Sequence, residues 1–211
     1  MGIVEVETTL PRIVPERPRQ TIPVVSLEQF RGSPSDRADF VNTLGDALRD
    51  IGFFALCDHG IASGLISDAY SVAETFFFLP EEKKRAYEVP GIGGDRGFTR
   101  FGREHAKDAR APDLKEFWHI GAELPHLTPN VWPQEVPGFQ PVFRHLFTEL
   151  DRVSMELLDA TSLYLGEPER FLRALARDGN SLLRIIHYPP VAPDQNPGSI
   201  RAAAHEDINL I

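Results

Sequence analysis

The stretch from Gly138 to Leu165 constrains this chain most. Phe139, Val142, Phe143, Leu146, Leu150, Val153, Leu157, Leu158, Thr161 and Leu165 recur at spacings of three and four. That period places one apolar stripe along a single helix of about eight turns. It is the longest helix the sequence predicts. Gly166 closes it, as a residue free to take a left-handed conformation does.

The other segments are shorter. Thr21–Leu27 (TIPVVSL) is β-branched and predicts a first strand. Ser33–Asp36 reads as a turn and helix start, with Ser35 or Asp36 able to cap. Phe40, Val41, Leu44, Ala47, Leu48 and Ile51 then form a second apolar stripe that Gly52 ends. Phe53–Cys57 (FFALC) predicts a buried strand. A helix follows over Ser63–Leu79, and Pro80 starts a short one over Glu81–Tyr87, whose acidic-to-basic order suits the helix dipole. Residues 90–113 hold five glycines, at 91, 93, 94, 97 and 102. A loop of that length in a compact domain is functional or mobile. Leu114–Gly121 and Leu182–Tyr188 read as strands, with Pro125–Pro137 a connection and Glu167–Ala176 a short helix. Ala192–Ser199 reads as a polar turn, and Arg201–Ile211 as the start of another strand pair. Met1–Gln20, with Pro11, Pro15 and Pro18 among charges, reads as an extended or disordered arm. Helices come first and strands accumulate late, which is an α+β order.

A formal net charge of −9 and the lack of a basic stripe argue against a nucleic-acid partner. Lys83, Lys84 and Arg85 follow Glu81 and Glu82 and read as a solvated mixed-charge face. No run approaches the roughly 20 apolar residues of a membrane span, so no membrane partner is expected. The first 20 residues lack the apolar core of a secretory signal. With Cys57 the single cysteine, no internal disulfide can form, and a cytoplasmic location is the expectation.

His205-Glu206-Asp207 is the pattern that carries chemistry. Residues i and i+2 of a strand share a face, so this imidazole and this carboxylate converge on one point. Two histidines and one carboxylate on one face of an octahedral metal leave open positions for a co-substrate and dioxygen. The pair supplies one nitrogen and one oxygen ligand. Read from spacing alone, the two residues are better taken as surface strand residues that hydrogen-bond locally.

The context of the pair resembles one family. IPVVSL (Ile22–Leu27), Gly52-Phe53-Phe54 with Asp58-His59-Gly60-Ile61, FFFLPEEKK (Phe76–Lys84), Arg96-Gly97-Phe98 with Gly102 and Glu104, DLKEF (Asp113–Phe117), LRIIHYPP (Leu183–Pro190) and Ala204-His205-Glu206-Asp207 occur in one order. Together they resemble the 2-oxoglutarate- and iron(II)-dependent oxygenases, most closely the isopenicillin N synthase-like branch. The resemblance implies N-terminal helices packed on a double-stranded β-helix, or jelly roll, here incomplete. It divides the chain into an arm at 1–20, an N-terminal oxygenase region at 21–130, and the long helix with the start of the jelly roll at 131–211. It implies His205 and Asp207 as catalytic iron(II) ligands and Tyr188 as a contact to 2-oxoglutarate, the co-substrate. The implied function is oxidation of a small organic substrate by O2. Ile186 stands where plant members carry Asn. The family's distal histidine and later Arg-x-Ser have no counterpart before Ile211, so the chain reads as truncated after the ligand strand.

Three alternatives stand beside this reading. One is an isopenicillin N synthase-like oxidase that does not use 2-oxoglutarate. Another is a non-catalytic fragment, and a third is a zinc hydrolase using His205, Asp207 and His119. Among other residues, His59 reads as a turn histidine and His119 as a packed sheet histidine. His105, with Arg100 and Arg103, lies in the glycine-rich loop. Arg184, a cation in an apolar strand, needs a partner, either a structural acid or a substrate carboxylate. Cys57 and the phenylalanines at 76, 77, 78, 139, 143 and 147 are expected in the core.

Overall fold

The computed structural model describes residues 21–104, 113–190 and 201–202. The arm expected at 1–20, the turn at 192–199, His105 and the ligand strand at 203–211 lie outside the described residues. The described elements run β1 (Val24–Ser26), α1 (Leu27–Arg31), α2 (Pro34–Asp50), β2 (Ala55–Cys57), α3 (Ser63–Phe77), α4 (Glu81–Arg85), β3 (Gly97–Thr99), β4 (Glu116–Gly121), α5 (Phe139–Tyr164), α6 (Phe171–Ala176) and β5 (Leu182–His187). The mixture of helix and strand expected from the sequence is present. Among the described residues no helix is long and apolar enough to cross a membrane.

Several local expectations are corrected. The first strand stops at Ser26 because Leu27 opens a helical turn that buries Leu27 and Phe30. The cap of α2 is Ser33, not Ser35 or Asp36. Pro34 fits only the first helical position, so the residue before it must cap. The Ser33 hydroxyl accepts from the Asp36 N–H at 3.3 Å, and Asp36 accepts from the Ser33 N–H at 3.2 Å, a reciprocal capping box. At the other end Gly52 takes φ of 81° and donates to the Ala47 carbonyl at 3.0 Å. The FFALC strand is not buried. It forms half of a two-stranded parallel sheet with β1, and Phe53 before it is 65% exposed. Phe78 lies one residue past α3, off its stripe, and is also exposed.

Two apolar clusters fill the interior. Phe76 is the hub of the first. Its ring meets Trp118, Phe139 and Phe98 at centroid distances of 4.7, 5.6 and 5.8 Å, mostly edge-to-face. The second gathers Val25, Leu27, Phe40 and Leu44 against Val153 and Leu157. Helix α5 serves both, with Phe139 and Phe143 in one and Val153, Leu157 and Ala160 in the other. Its 26 residues span about 39 Å at the usual rise. Helix α2 reaches α5 closely because residue 45 is glycine: an added Cβ would lie 2.0 Å from the Tyr164 ring.

Strands β3, β4 and β5 form an antiparallel sheet in that order. The register pairs Phe98 with Trp118 and Trp118 with Ile185, and these three face the helices. Alternation then turns Thr99, Phe117, His119, Arg184 and Ile186 to the opposite face. No described helix packs on that second face. It is covered in part by the segment leading into and out of β3.

Candidate active site on the open sheet face

A hollow of about 460 Å³ lies between the 88–104 segment and the open sheet face. Glu88, Asp95, Arg103, Glu104 and Arg184 bring charge to its wall, and His119 a polar ring. A larger hollow of about 940 Å³ lies on the helix side, between α3, α5 and the outer edge of β5. Aliphatic side chains such as Ile66, Leu146, Leu150 and Leu183 dominate its wall. Orientation of a small polar molecule needs a few convergent polar groups, and these are concentrated in the smaller hollow.

Strand β4 carries the fixed part of this site. His119 is 4% exposed, and both of its ring nitrogens are engaged. Nδ1 lies 2.7 Å from the Gly94 carbonyl, which only accepts, so Nδ1 carries the proton. Nε2 accepts the Arg184 Nε–H at 2.6 Å. This is a neutral imidazole with no free lone pair. Burial pushes its pKa down, and the nearby Arg184 cation acts in the same direction. The packed sheet histidine expected from the sequence is what stands here, and no ring nitrogen is left for the zinc site considered as an alternative.

Arg184 has an acid for a partner. Its guanidinium meets Glu104 at 3.0 Å and lies over the Phe117 ring, 4.6 Å from the centroid. Glu104 also accepts from the Lys115 ammonium at 2.7 Å, and Lys115 reaches Asp113 at 3.0 Å. Burial alone would lower the Lys115 pKa, but its bonds to Glu104 and Asp113 outweigh that and hold it up. The open face thus carries alternating cations and carboxylates, with Arg184 still 38% exposed at the mouth of the hollow.

Two buried polar groups were not foreseen. Lys84, expected on a solvated face, is buried on the helix side of the sheet. It donates to Glu116 at 2.6 Å and to Glu81 at 3.2 Å. The stripe of α3 carries the chain into Pro80, so α4 turns Lys84 inward over the Phe98 ring. Arg96 is 1% exposed and bonded to the carbonyls of Asp95 and Ala122 and to the Asn180 amide oxygen. An added Cβ on Gly121 would lie 2.0 Å from its guanidinium carbon, so glycine there makes the room. Burial lowers the pKa of Arg96. A lysine or arginine whose partners stand far off in the sequence leaves no local trace of its burial.

His59 takes the turn role expected of it, its Nδ1 accepting from the Ile61 N–H at 3.1 Å. Cys57 is only half-buried, with its thiol against Asp58 at 3.2 Å and the Val25 carbonyl at 3.5 Å. Of the site residues implied by resemblance, Tyr188 directly follows β5 and is half-buried. His205 and Asp207 lie outside the described residues. Among the described residues no three His, Cys, Asp or Glu side chains are grouped to hold a metal ion.

Comparison with known proteins adds independent findings. Residues 22–135 match the family model described as the N-terminal part of non-haem dioxygenase in morphine synthesis. The chain is 30% identical to a 2-oxoglutarate-Fe(II) type oxidoreductase, ppzD, of Metarhizium rileyi, over 92% of this chain and 60% of that protein. It is 29% identical to the proline hydroxylase buaE of Petromyces alliaceus, over 85% of this chain and 59% of that protein. Among solved structures it is similar to a 2OG-Fe(II) oxygenase family protein from Caulobacter crescentus. That match has a TM-score of 0.75 and 38% identity over 89% of this chain and 61% of the other. A full-length Neurospora crassa protein, solved in complex with alpha-KG, matches with a TM-score of 0.78 and 26% identity over 88% of this chain and 61% of the other. The chain therefore spans about three-fifths of the length of these relatives.

Proposed function

Because the chain belongs to the 2-oxoglutarate- and iron(II)-dependent oxygenase family, we propose that the protein oxidises a small organic substrate with O2, using 2-oxoglutarate as co-substrate. The observation that carries this reading is the polar hollow on the sheet face opposite the helices, with β5 leading from its wall into Tyr188. The names of the relatives favour the co-substrate reading over an oxidase that dispenses with it.

His205 and Asp207 are the residues we assign to the iron, and the open sheet face is one inner wall of a jelly roll. Iron(II) there would supply oxidation of an unactivated C–H bond, coupled to decarboxylation of 2-oxoglutarate to succinate. The chain's own residues have simpler tasks. One imidazole and one carboxylate two residues apart present one nitrogen and one oxygen from the same side of a strand. Tyr188 would donate its phenol proton to the far carboxylate of 2-oxoglutarate. Extending the alternation of β5 by one residue assigns Tyr188 to the face of Arg184 and Ile186. Phe117 is buried and gives that face an apolar wall, and Arg184 offers a cation at the mouth of the hollow.

An oxygen electrode provides the test. Oxygen uptake should require both iron(II) and 2-oxoglutarate, with succinate formed. Uptake that persists without 2-oxoglutarate would move the reading to the oxidase alternative. For the ligand assignment, His205→Ala and Asp207→Ala should each abolish stoichiometric iron binding by equilibrium dialysis. Iron retained by both variants would show that the metal is held elsewhere.

A further inference from the structure

A chain of three buried or half-buried polar groups, an ammonium, a carboxylate and an imidazole, ends one residue before Tyr188. Lys84 donates to Glu116 Oε2 at 2.6 Å, with side chains only 8% and 4% exposed. The other oxygen of Glu116 meets His187 Nδ1 at 2.7 Å. A carboxylate only accepts, so Nδ1 carries the proton. Glu116 and His187 are also register partners in the last rung of the β4–β5 ladder. The His187 ring is stacked on Phe77, 5.1 Å between centroids and 29° between planes, with Phe78 at 6.2 Å.

Burying such a set of charges is a poor way to gain stability, since well-packed apolar residues of similar volume often do as well. What the arrangement offers is direction. Both χ angles of His187 are set, by the carboxylate on one side and the Phe77 ring on the other, and the Lys84 ammonium holds Glu116 in turn. His187 faces the helices. In an extended chain the next residue faces the other way. Pro189 and Pro190 follow Tyr188 and cannot donate to a ladder, and among the described residues β5 has no rung beyond His187 in which to fix the tyrosine.

We propose that His187 is a positioning residue for Tyr188: the Lys84–Glu116–His187 chain clamps the end of β5 and so holds the Tyr188 phenol on the open face. The proposal rests on the reading that Tyr188 contacts 2-oxoglutarate. It accounts for a hydrogen-bonded lysine, glutamate and histidine at the one rung of the sheet adjoining the implied co-substrate contact.

The test uses the full chain with ¹³C-labelled tyrosine rings. There are four tyrosines, and Tyr188→Phe identifies the Tyr188 signal. His187→Asn keeps a donor near the position of Nδ1, whereas His187→Leu removes it. His187→Gln stays polar but moves the donor, and it serves if the Leu variant does not fold. In the absence of any ligand, Leu and Gln should displace and broaden the Tyr188 signal while Tyr70, Tyr87 and Tyr164 stay in place. Asn should restore it. A Tyr188 signal that is unchanged in the Leu or Gln variant overturns the proposal. 2-Oxoglutarate is then titrated with zinc(II) standing in for iron(II). It should shift the Tyr188 signal of the wild type, and the Leu or Gln variant should bind it about tenfold more weakly. A wild-type signal that ignores 2-oxoglutarate counts against the co-substrate reading alone, because the ligand-free comparison judges the clamp separately.

Discussion

His119 shows how one residue ties stability to pH. Its imidazole is neutral in the fold, with Nδ1 donating to Gly94 and Nε2 accepting from Arg184. Burial depresses its folded pKa below the ordinary 6.5. A depressed histidine binds its proton more readily in the unfolded chain. Its contribution is therefore complete above about 6.5 and is lost as pH falls through the lower folded value. Urea midpoints measured from pH 8 to pH 5 should decline below about 6.5. The decline should be shallower in His119→Phe, and an equal slope in both proteins would remove His119 as the cause. Lys84 is the second case. Lys84→Met leaves Glu116 buried without its cation and should cost about 3–5 kcal/mol in urea unfolding. Adding Glu116→Leu to that variant should recover much of the loss, because the stranded carboxylate is then gone. The sequence announced a packed sheet histidine at 119 but could not announce the role of Lys84. A buried cation in the run Glu-Glu-Lys-Lys-Arg has the same local pattern as an exposed one, and its partner stands 32 residues away. By contrast, the need of Arg184 for a partner was legible, because a guanidinium flanked by Leu, Ile and Ile must be compensated.

At the scale of elements, periodicity told the helices well and the strands less well. The stripes of α2, α3 and α5 lie where the apolar spacing put them, to within a few residues. The failures have a common physical source: FFALC and the start of α1 are short apolar runs, and burial there depends on which neighbour arrives to cover them. A two-stranded sheet leaves one side open, so Phe53 stays exposed. Two substitutions test how these elements are held. Ser33→Ala removes the acceptor for the Asp36 N–H and half of the capping box, and should cost about 1 kcal/mol in thermal or urea unfolding. Ser35→Ala should cost clearly less, and the reverse order would restore the cap first expected. Gly45→Ala asks a Cβ to occupy the Tyr164 ring. Helices α2 and α5 must then separate or the ring must turn, with an expected loss of about 1–3 kcal/mol. A neutral Gly45→Ala would mean that the ring moves aside freely.

At the scale of the whole molecule, the long stripe of α5 is a wall shared by two clusters. Phe139 and Phe143 close the cluster around Phe76 and Trp118, and Val153 and Leu157 close the one around Phe40. Both tryptophans belong to the first cluster, Trp118 within it and Trp132 packed against it. Their fluorescence therefore reports only that end of the helix. If α5 makes one cooperative unit of the two, a cavity cut in the far cluster must appear in the tryptophan signal. Phe40 is 1% exposed, so Phe40→Ala should cost about 3–5 kcal/mol. The tryptophan-detected urea midpoint should fall by the same amount as the midpoint from far-ultraviolet circular dichroism, since a two-state unit has one transition for every probe. Should the fluorescence midpoint stay at its wild-type value while circular dichroism shows an earlier phase, the clusters unfold separately. The Phe40 end would then be free to open while the sheet carrying His119, Arg184 and the approach to Tyr188 stays folded. A rigid helix connecting them argues for the first outcome: opening one cluster exposes half of an apolar stripe whose other half is still held, and between the two clusters this helix has no glycine or proline at which to divide the loss.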